Sequence, residues 1–407
     1  MPERLDRRHF LRSTGRVLGA AGLGLTGLAG CGERRPYTDV DRASLARQRE
    51  EEAQRTGTGP FGVQRFQGYR GLADLPWYEL DGAGALRLAD DSVPSSIDFH
   101  THLGMSLLFA PKMDLARETP RVRHLLDCDE TDPGCPFDLD IYINGNFTPE
   151  QVDALPTMTI GQAFFGNEVV DTHTIPNLIR EMDSVRVTNS VLLPIVFDLP
   201  FGDDVEGDWR DGIEATGTAD RLWLGTSVHP GERGAVAKLE RAAARGAKVV
   251  KLHPTMQAFH PDAEDAMALY AAAERLGLVI FFHGGRAGVE PDSRQGYAMP
   301  RHYEGAFSAF PNLPFVIGHG GARDVAGMLE LATRYDNVWL GVHGQSVTWL
   351  DEMIRRTGGE RMLFGTDWPW YHLAATQAKV LIVTRDPGRA EIRHAILRGN
   401  AERLLAR

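Results

Sequence analysis

The chain has 407 residues, of which 43% are hydrophobic and 24% charged, and its formal net charge at pH 7 is −11. This is the composition of an ordinary globular protein with enough chain for a large core, either one large domain with additions or two domains. The acidic balance argues against nucleic acid as a partner and against electrostatic docking on anionic lipid.

The N-terminus has the pattern of an export signal. Arg7 and Arg8 precede a short stretch rich in Gly, Ala and Leu that ends at Cys31 and is too short for a comfortable membrane span. The arginine pair resembles a twin-arginine signal, and Leu28–Cys31 resembles a bacterial lipobox, in which the cysteine is acylated. We therefore expect residues 1–30 to be a signal of an exported, periplasmic or cell-envelope protein, with any membrane attachment made by lipid on Cys31. The alternative is a fortuitously basic and apolar N-terminus.

Residues 31–94 are mostly polar and predict a tether with one short helix, followed by a small hairpin. The hairpin is indicated by WYELDGAGALRL, in which Asp81-Gly82 supplies the turn. The regular part of the chain, residues 95–407, begins after it.

From residue 95 onward, β-like runs alternate with stretches that have helical apolar spacing. The predicted strands are SSIDFHTHL, SVLLPIVF, RLWLGTSVHP, KVVKLHP, VIFFHGG, PFVIGHGG, NVWLGV and RMLFGTDWP. The predicted helices include AVAKLERAAARG, DAEDAMALYAAAERLG and ARDVAGMLELATRY. Several strands are apolar throughout, as in parallel sheets covered on both faces. Eight such units predict an α/β fold, a (β/α)8 TIM barrel, with a doubly wound open sheet as the alternative.

The stretch 105–175 is too long for an ordinary connection between a strand and a helix. We predict that it is an insertion after the first strand, lying over the mouth of the barrel. It contains Cys128 and Cys135 on either side of a Pro133-Gly134 turn. In an oxidising compartment we expect these cysteines to form a disulfide, and the alternative is two free thiols.

Polar residues recur at the carboxyl ends of the predicted strands, where barrel enzymes keep their chemistry. Histidines close most of these runs, and Asp367 closes the last one. The set comprises His100, His102, His229, Lys251, His253, His283, His319, His343 and Asp367. In an extended strand Asp98, His100 and His102 would share one face, with Ile97 and Phe99 on the other. Imidazole nitrogens and a carboxylate that converge on one axis suit a divalent metal, Zn²⁺ first, with Mn²⁺ or Fe²⁺ as alternatives.

The motifs IDFHTH, VKLHP, FFHGG, IGHGG and FGTDWP occur in the order seen in the amidohydrolase superfamily. They most resemble the amidohydrolase-related branch that includes aminocarboxymuconate-semialdehyde decarboxylase, and ILRGNAERLL resembles that branch's C-terminal helix. The resemblance covers roughly residues 95–407. It implies a metal-dependent barrel enzyme with His100, His102, His283 and Asp367 as metal ligands.

The resemblance also implies catalytic roles. His319 matches the histidine that positions water or substrate, and Asp367 would accept and return a proton. Two-metal members use a carboxylated lysine, for which Lys251 is the one candidate. Because Lys251 lies two residues before the strand end, where His253 sits, we expect one metal. The sequence departs from the family pattern in its long insertion and at His343.

Four further residues are candidates for binding the substrate. Arg286 and Arg323 follow the two HGG turns and would suit a carboxylate, with surface salt bridges as the alternative. Trp368 would stack on a flat substrate or pack under the insertion. His253 would contact the substrate or orient a neighbour.

The predicted function is therefore hydrolysis of an amide, ester or lactone of a small carboxylated compound by a metal-activated water. One alternative is non-oxidative decarboxylation of a small aromatic or unsaturated acid, and another is a non-catalytic, metal-containing binding lipoprotein. The oligomeric state, including a homo-oligomer, stays open.

Overall fold

Eight short parallel strands form the centre of the structure, a computed structural model that describes residues 36–125, 136–145, 149–197, 199 and 205–407. They are β1 (Ser96–Thr101), β2 (Val187–Leu192), β3 (Leu222–Leu224, resuming at Thr226–Ser227), β4 (Val249–Leu252), β5 (Val279–Phe282), β6 (Phe315–Ile317), β7 (Val338–Gly341) and β8 (Met362–Leu363). Each strand pairs in parallel with the next along the chain. The first part of β3 pairs with β2 and its second part with β4, so β3 joins the two groups of strands.

The sheet closes between β8 and β1. The backbone N–H of Phe99 donates to the carbonyl of Phe364 at 2.9 Å, and Thr101 forms a parallel bridge with Trp368. Closure leaves no free sheet edge, and the predicted eight-stranded α/β barrel is thereby confirmed.

Helices follow most strands and cover the outside of the barrel. The longer ones are α1 (Asp39–Arg55), α2 (Pro149–Phe165), α3 (Ile175–Ser184), α4 (Val205–Thr216), α5 (Ala235–Ala244), α6 (Glu264–Arg275), α7 (Val325–Arg334), α8 (Val347–Thr357) and α9 (Ala374–Val383). Shorter helices lie at Pro254–Gln257, Asp292–Gln295, Glu304–Ala309, Ala390–His394 and Asn400–Leu405. Outside the barrel, Arg65–Gln67 pairs with Pro136–Asp138, and Tyr78–Leu80 pairs with Leu86–Leu88 in the hairpin expected around Asp81.

The barrel interior is filled by one layer of apolar side chains below the strand ends. Its members come from nearly every strand and are almost completely buried: Ile97, Phe99, Val191, Leu193, Val249, Val279, Phe281, Val316, Trp339 and Leu363. A larger apolar cluster fills the space between the sheet and the helices. Because these apolar side chains fill the barrel, the polar side chains at the strand ends lie above a packed interior and not above an open channel.

The segment expected to be a tether is in part a packed element. Residues Tyr37–Arg407 form one compact unit, and α1 belongs to it. Arg42 of α1 pairs with Asp292 at 2.9 Å, and Glu52 pairs with Arg323 at 3.1 Å. The helix expected within the tether is therefore present at Asp39–Arg55, and one exposed and one buried ion pair hold it against the loops that follow β5 and β6.

Several sequence predictions lie outside the described residues. They concern the signal at residues 1–30, the acylation of Cys31 and the disulfide between Cys128 and Cys135. Among the helices of the described ranges, none has both the length and the apolar character to cross a membrane.

Candidate active site

A bulge in β1 turns both histidines of the first motif into the barrel. Between two paired positions, β1 has two residues, Phe99 and His100, where β2 has only Val191. The rings of Phe99 and His100 then both approach Phe281 in the interior, with ring centroids 6.2 and 4.7 Å away. Asp98 instead accepts hydrogen bonds from the segment after β8. The expectation that Asp98 shares a face with the histidines is wrong, because the extra residue shifts the alternation by one.

Three potential ligand atoms converge above this bulge. Nε2 of His100 and Nε2 of His102 are 3.0 Å apart. Oδ1 of Asp367 lies 3.3 Å from the first and 3.2 Å from the second. Ligand atoms around an ion with bonds of about 2.0–2.2 Å are themselves about 3 Å apart. The triangle therefore has the size of one face of a metal coordination shell.

The hydrogen bonds behind these atoms fix which nitrogens carry protons. Nδ1–H of His102 donates to the carbonyl of Leu193 at 2.7 Å, which leaves a lone pair on Nε2. That lone pair faces the carboxylate oxygen of Asp367 at 3.2 Å. Two acceptors in contact repel each other unless a proton or a cation lies between them. The donor set therefore fits a bound divalent cation.

Asp367 and His319 both have left-handed backbone conformations, with φ of +60° and +53°. Such conformations are uncommon for residues with side chains and occur preferentially at functional sites. The N–H of Asp367 donates to the carbonyl of His100 at 2.7 Å, which ties the end of β8 to β1. Gln345 holds His319 by donating from Nε2 to its carbonyl at 2.5 Å. These strained backbone conformations bring the two side chains towards each other. Nε2 of His319 lies 3.8 Å from Oδ2 of Asp367.

His343 belongs to the cluster, although the sequence analysis assigned it no role. One nitrogen or oxygen from each of His100, His319, His343 and Asp367 lies within 4.8 Å of the others. His343 lies two residues beyond β7, as His283 lies just after β5, and the strand-end pattern had placed both in the candidate set without giving His343 a function. Lys251 also reaches the site, where its Nζ donates to Nε2 of His100 at 2.8 Å.

His283 lies beside the cluster rather than within its four members. Its ring stacks on His253 at 4.0 Å and meets the ring of His319 edge-on at 4.3 Å. Nε2 of His283 is buried and has no hydrogen-bond partner among the described residues, and Oε1 of Glu290 is 3.4 Å away. Its role as a third histidine ligand stays a prediction, which the orphaned nitrogen favours. Glu290 was missed, since it follows no strand end.

Burial dominates the electrostatics of the site. It lowers the pKa of His100, His319 and His343 well below the usual histidine value, and neighbouring imidazoles and Lys251 add to the effect. Burial also lowers the pKa of Lys251 to about 7, although the charge of Asp367 opposes this. Metals bind to neutral imidazoles, and the lowered pKa values keep these histidines in that form near neutral pH.

Arg286 and Arg323 have partners that were not expected from the sequence. Nε and Nη2 of Arg286 donate to the carboxylate of Asp324 at 2.8 and 2.6 Å, and Nη1 donates to a carbonyl of α1. Nη1 of Arg323 donates to Gln48 and Glu52 of the same helix. Both guanidinium groups thus anchor α1, which agrees with the salt-bridge alternative, and a role in binding a substrate carboxylate stays a prediction.

Two aromatic residues lie near the cluster. Trp368 is fully buried, which agrees with packing rather than with stacking on a substrate. Tyr142, from the stretch between β1 and β2, lies 6.3 Å from the ring of His319. Its hydroxyl is buried and has no hydrogen-bond partner within the described part of the chain. An unsatisfied buried hydroxyl beside the site is a natural contact for a substrate or a water.

The described features agree with comparisons to known proteins. Residues 208–407 match the family model described as Amidohydrolase, and no curated protein sequence matches the chain significantly. An uncharacterised TIM-barrel protein from Bordetella bronchiseptica is 22% identical and has a TM-score of 0.53, with 77% of this chain and 99% of that chain covered.

Two decarboxylases are similar in fold. The 5-carboxyvanillate decarboxylase from Novosphingobium aromaticivorans, complexed with manganese and 4-hydroxy-3-methoxy-5-nitrobenzoic acid, is 15% identical with a TM-score of 0.52, and 79% of this chain and 98% of that chain are covered. The 5-carboxyvanillate decarboxylase from Sphingomonas paucimobilis is 16% identical with a TM-score of 0.50, covering 64% and 96%. At sequence identities this low, the similarity to these structures shows a shared fold and does not show a shared reaction. The family match over residues 208–407, together with the motifs that lie within it, confirms the resemblance to the amidohydrolase superfamily that the sequence indicated.

Proposed function

We propose that this superfamily enzyme is a metal-dependent, non-oxidative decarboxylase of a small aromatic carboxylic acid. The observation that carries the proposal is the buried convergence of His100, His102 and Asp367 at the end of a closed barrel. The two named decarboxylases of similar fold support the choice of reaction, because one of them was crystallised with manganese and a benzoic acid derivative.

His100, His102 and Asp367 would hold one divalent cation, with His283 as a further ligand. A cation bound there would polarise a substrate oxygen and bring the pKa of a bound water towards neutrality. Zn²⁺ suits the histidine-rich donor set best, and Mn²⁺ or Fe²⁺ are the alternatives.

Asp367 and His319 would manage the proton that the reaction needs. Loss of CO₂ leaves an electron pair on carbon, which must take up one proton. Asp367 lies at the end of β8 with His319 3.8 Å away, so its carboxyl group can deliver a proton while the histidine steadies it. Their burial excludes bulk water from this transfer, which strengthens each electrostatic contact.

Recognition of the substrate would fall to groups other than the two arginines. The orphaned hydroxyl of Tyr142 and the stacked pair of His253 and His283 lie around the cluster. These groups suit a flat molecule that carries hydroxyl or carboxylate oxygens. The substrate class therefore stays a small carboxylated compound, and nucleic acid is not expected.

Hydrolysis of an amide, ester or lactone is the second candidate. The same Asp367 would take a proton from water and pass it to the leaving group, and His319 would stabilise the developing oxyanion. The arrangement of Asp367 and His319 suits both reactions, because it can deliver a proton to a substrate carbon in decarboxylation or to a leaving group in hydrolysis. A non-catalytic binding protein is the third candidate, which the left-handed backbone at both residues disfavours.

The products distinguish the three candidates. Purified protein loaded with Zn²⁺, Mn²⁺ or Fe²⁺ would be incubated with hydroxylated benzoic acids, lactones and amides, with CO₂ and new carboxylates measured separately. Release of CO₂ that disappears in Asp367→Asn supports decarboxylation, and a new carboxylate without CO₂ supports hydrolysis. If no compound turns over and Asp367→Asn and His319→Ala leave ligand binding unchanged, the binding protein is supported instead.

Export and lipid attachment stay proposals that concern residues outside the described ranges. We propose that the signal at residues 1–30 is removed, that Cys31 is acylated and that Cys128 and Cys135 form a disulfide. Mass spectrometry of the protein isolated from its native envelope, with and without reduction, would test all three.

A further inference from the structure

A second group of metal-binding side chains lies apart from the proposed active site. It consists of His260, Asp262 and His302, whose potential ligand atoms all lie within 4.8 Å of one another. His260 and Asp262 follow the short helix after β4, and His302 ends the turn Pro300–His302 after β5. No residue is shared between this group and the cluster around Asp367.

We propose that His260, Asp262 and His302 form a second divalent-cation site, of the kind that takes Zn²⁺. Two imidazoles and one carboxylate are three of the ligands that zinc prefers, and a water molecule commonly completes its four-coordinate shell. The side chain of Asp262 is 31% exposed, so solvent can supply that fourth ligand.

Hydrogen bonding alone does not account for the position of His302. Its side chain is only 4% exposed, and its Nδ1 is 3.4 Å from Oδ2 of Asp262. That distance exceeds the usual N–H···O separation of about 2.9 Å. Nε2 of His302 is also buried without a hydrogen-bond partner in the described part of the chain. A buried imidazole with one long contact and one orphaned nitrogen calls for a further partner.

The imidazole rings of His260 and His302 pack closely, with their planes tilted by 54°. The ring centroids of His260 and His302 are 4.3 Å apart, and Tyr297 packs against His260 at 4.7 Å. A cation would relieve lone-pair repulsion and neutralise the carboxylate of Asp262.

Such a cation would brace the loops that follow β4 and β5. These two strands are succeeded directly by His253 and His283, which stack on each other at 4.0 Å. Cross-linking the loops just beyond them would limit the movement of one ring against the other. The site is therefore a structural brace, and its existence does not depend on the reaction proposed above.

The test is the number of ions bound by the full-length protein after equilibrium dialysis against Zn²⁺ or Co²⁺. We expect two ions per chain in the wild type and one in Asp262→Asn and His260→Gln. A matched control is His229→Gln, since His229 follows the neighbouring strand β3 and donates to the carbonyl of Gln257 instead. This control should keep both ions, and circular dichroism would confirm that every variant is folded.

The reciprocal variant separates the two sites. His102→Gln should lose the ion of the proposed active site and keep the second one, with Co²⁺ absorption in the visible range reporting a low-coordinate His and carboxylate environment. If a folded Asp262→Asn protein binds as many ions as the wild type, the second site is refuted. If His102→Gln alone loses an ion, the active-site proposal survives and this one fails.

Discussion

Nε2 of His343 lies 2.5 Å from Nδ1 of His100 and accepts a hydrogen bond from the backbone N–H of His319 at 3.1 Å. Since the amide already donates to His343, the imidazole of His100 must carry its proton on Nδ1. The lone pair of His100 is then on Nε2, which faces Asp367. His343 therefore acts as a positioning residue for a potential metal ligand, the role that carboxylates or carbonyls have behind most metal-bound histidines.

Replacing His343 by leucine should weaken metal binding without removing a ligand. Loss of the acceptor frees the tautomer and ring orientation of His100, and such second-layer changes typically reduce metal affinity by about 10- to 100-fold. Competition with a fluorescent chelator would measure the change, and the exposed His394→Leu serves as the control. Unchanged affinity in a folded His343→Leu protein would show that His100 is oriented by other contacts.

Gly365→Ala should disturb the same histidine from the opposite side. A Cβ at position 365 would lie 2.9 Å from Cβ of His100 and 3.4 Å from Nδ1 of His343. Neither neighbour can move freely, so we expect a loss of about 1–3 kcal/mol in the free energy of unfolding together with weaker metal binding. Urea unfolding and metal titration would measure both.

The control for this change is Gly82→Ala, since a Cβ there meets no heavy atom within 4 Å. It should leave both measurements within about 0.5 kcal/mol of the wild type. Equal behaviour of the two alanine variants would mean that the strand ends can separate and that the packing around His100 is looser than the structure indicates.

The barrel and the strand-end residues were predictable because both follow from short-range patterns. Apolar runs mark buried parallel strands, and the carboxyl ends of such strands meet at one end of a barrel. Asp367 and His100 are thus brought together by topology, although 267 positions separate them in the numbering. The order of the motifs carried the family assignment in the same way.

The bulge in β1 and the partners of the arginines depend on contacts between distant segments. One extra residue opposite Val191 reverses the face on which His100 lies, and nothing in IDFHTH distinguishes a bulged strand from a regular one. Arg286 was placed correctly near the strand ends, but its partner Asp324 and the carbonyl of Asp41 come from other elements. A short helix was expected in this segment, but the polar composition of α1 gave no sign that ion pairs, rather than an apolar face, hold it in place.

His173 should make the protein less stable in acid. Burial lowers the pKa of its imidazole to about 3, although the hydrogen bond to the carbonyl of Arg123 opposes the shift. Between the unfolded value of 6.5 and about 3, the unfolded chain binds a proton that the folded chain does not. The free energy of unfolding therefore falls as the pH decreases through this window, by up to about 5 kcal/mol from this group.

His173→Gln keeps an N–H donor for Arg123 but cannot bind a proton. Its unfolding free energy, measured in urea at pH 7.5 and pH 4.5, should fall less on acidification than that of the wild type. The exposed His394→Gln should retain the wild-type dependence. The same pH dependence in His173→Gln and the wild type would assign the acid sensitivity to other groups.

Glu52 should link the position of α1 to that of Tyr142 beside the proposed active site. Its side chain is almost completely buried, with Oε1 accepting from the N–H of Tyr142 at 2.9 Å and Oε2 3.1 Å from Nη1 of Arg323. Glu52→Gln keeps an acceptor for Tyr142 but leaves the buried guanidinium without its charged partner. Breaking a buried ion pair in this way costs about 3 kcal/mol, which urea unfolding would measure.

Glu51→Gln is the matched control, because Glu51 is its exposed neighbour on the same helix and should change stability by less than about 0.5 kcal/mol. Since Tyr142 stands beside His319, loosening α1 should also raise KM more than it lowers kcat. Limited proteolysis within α1 should accelerate in Glu52→Gln alone. Equal stability and equal proteolysis in the two variants would mean that Arg286, through Asp41 and Ser44, holds this helix without help from Glu52.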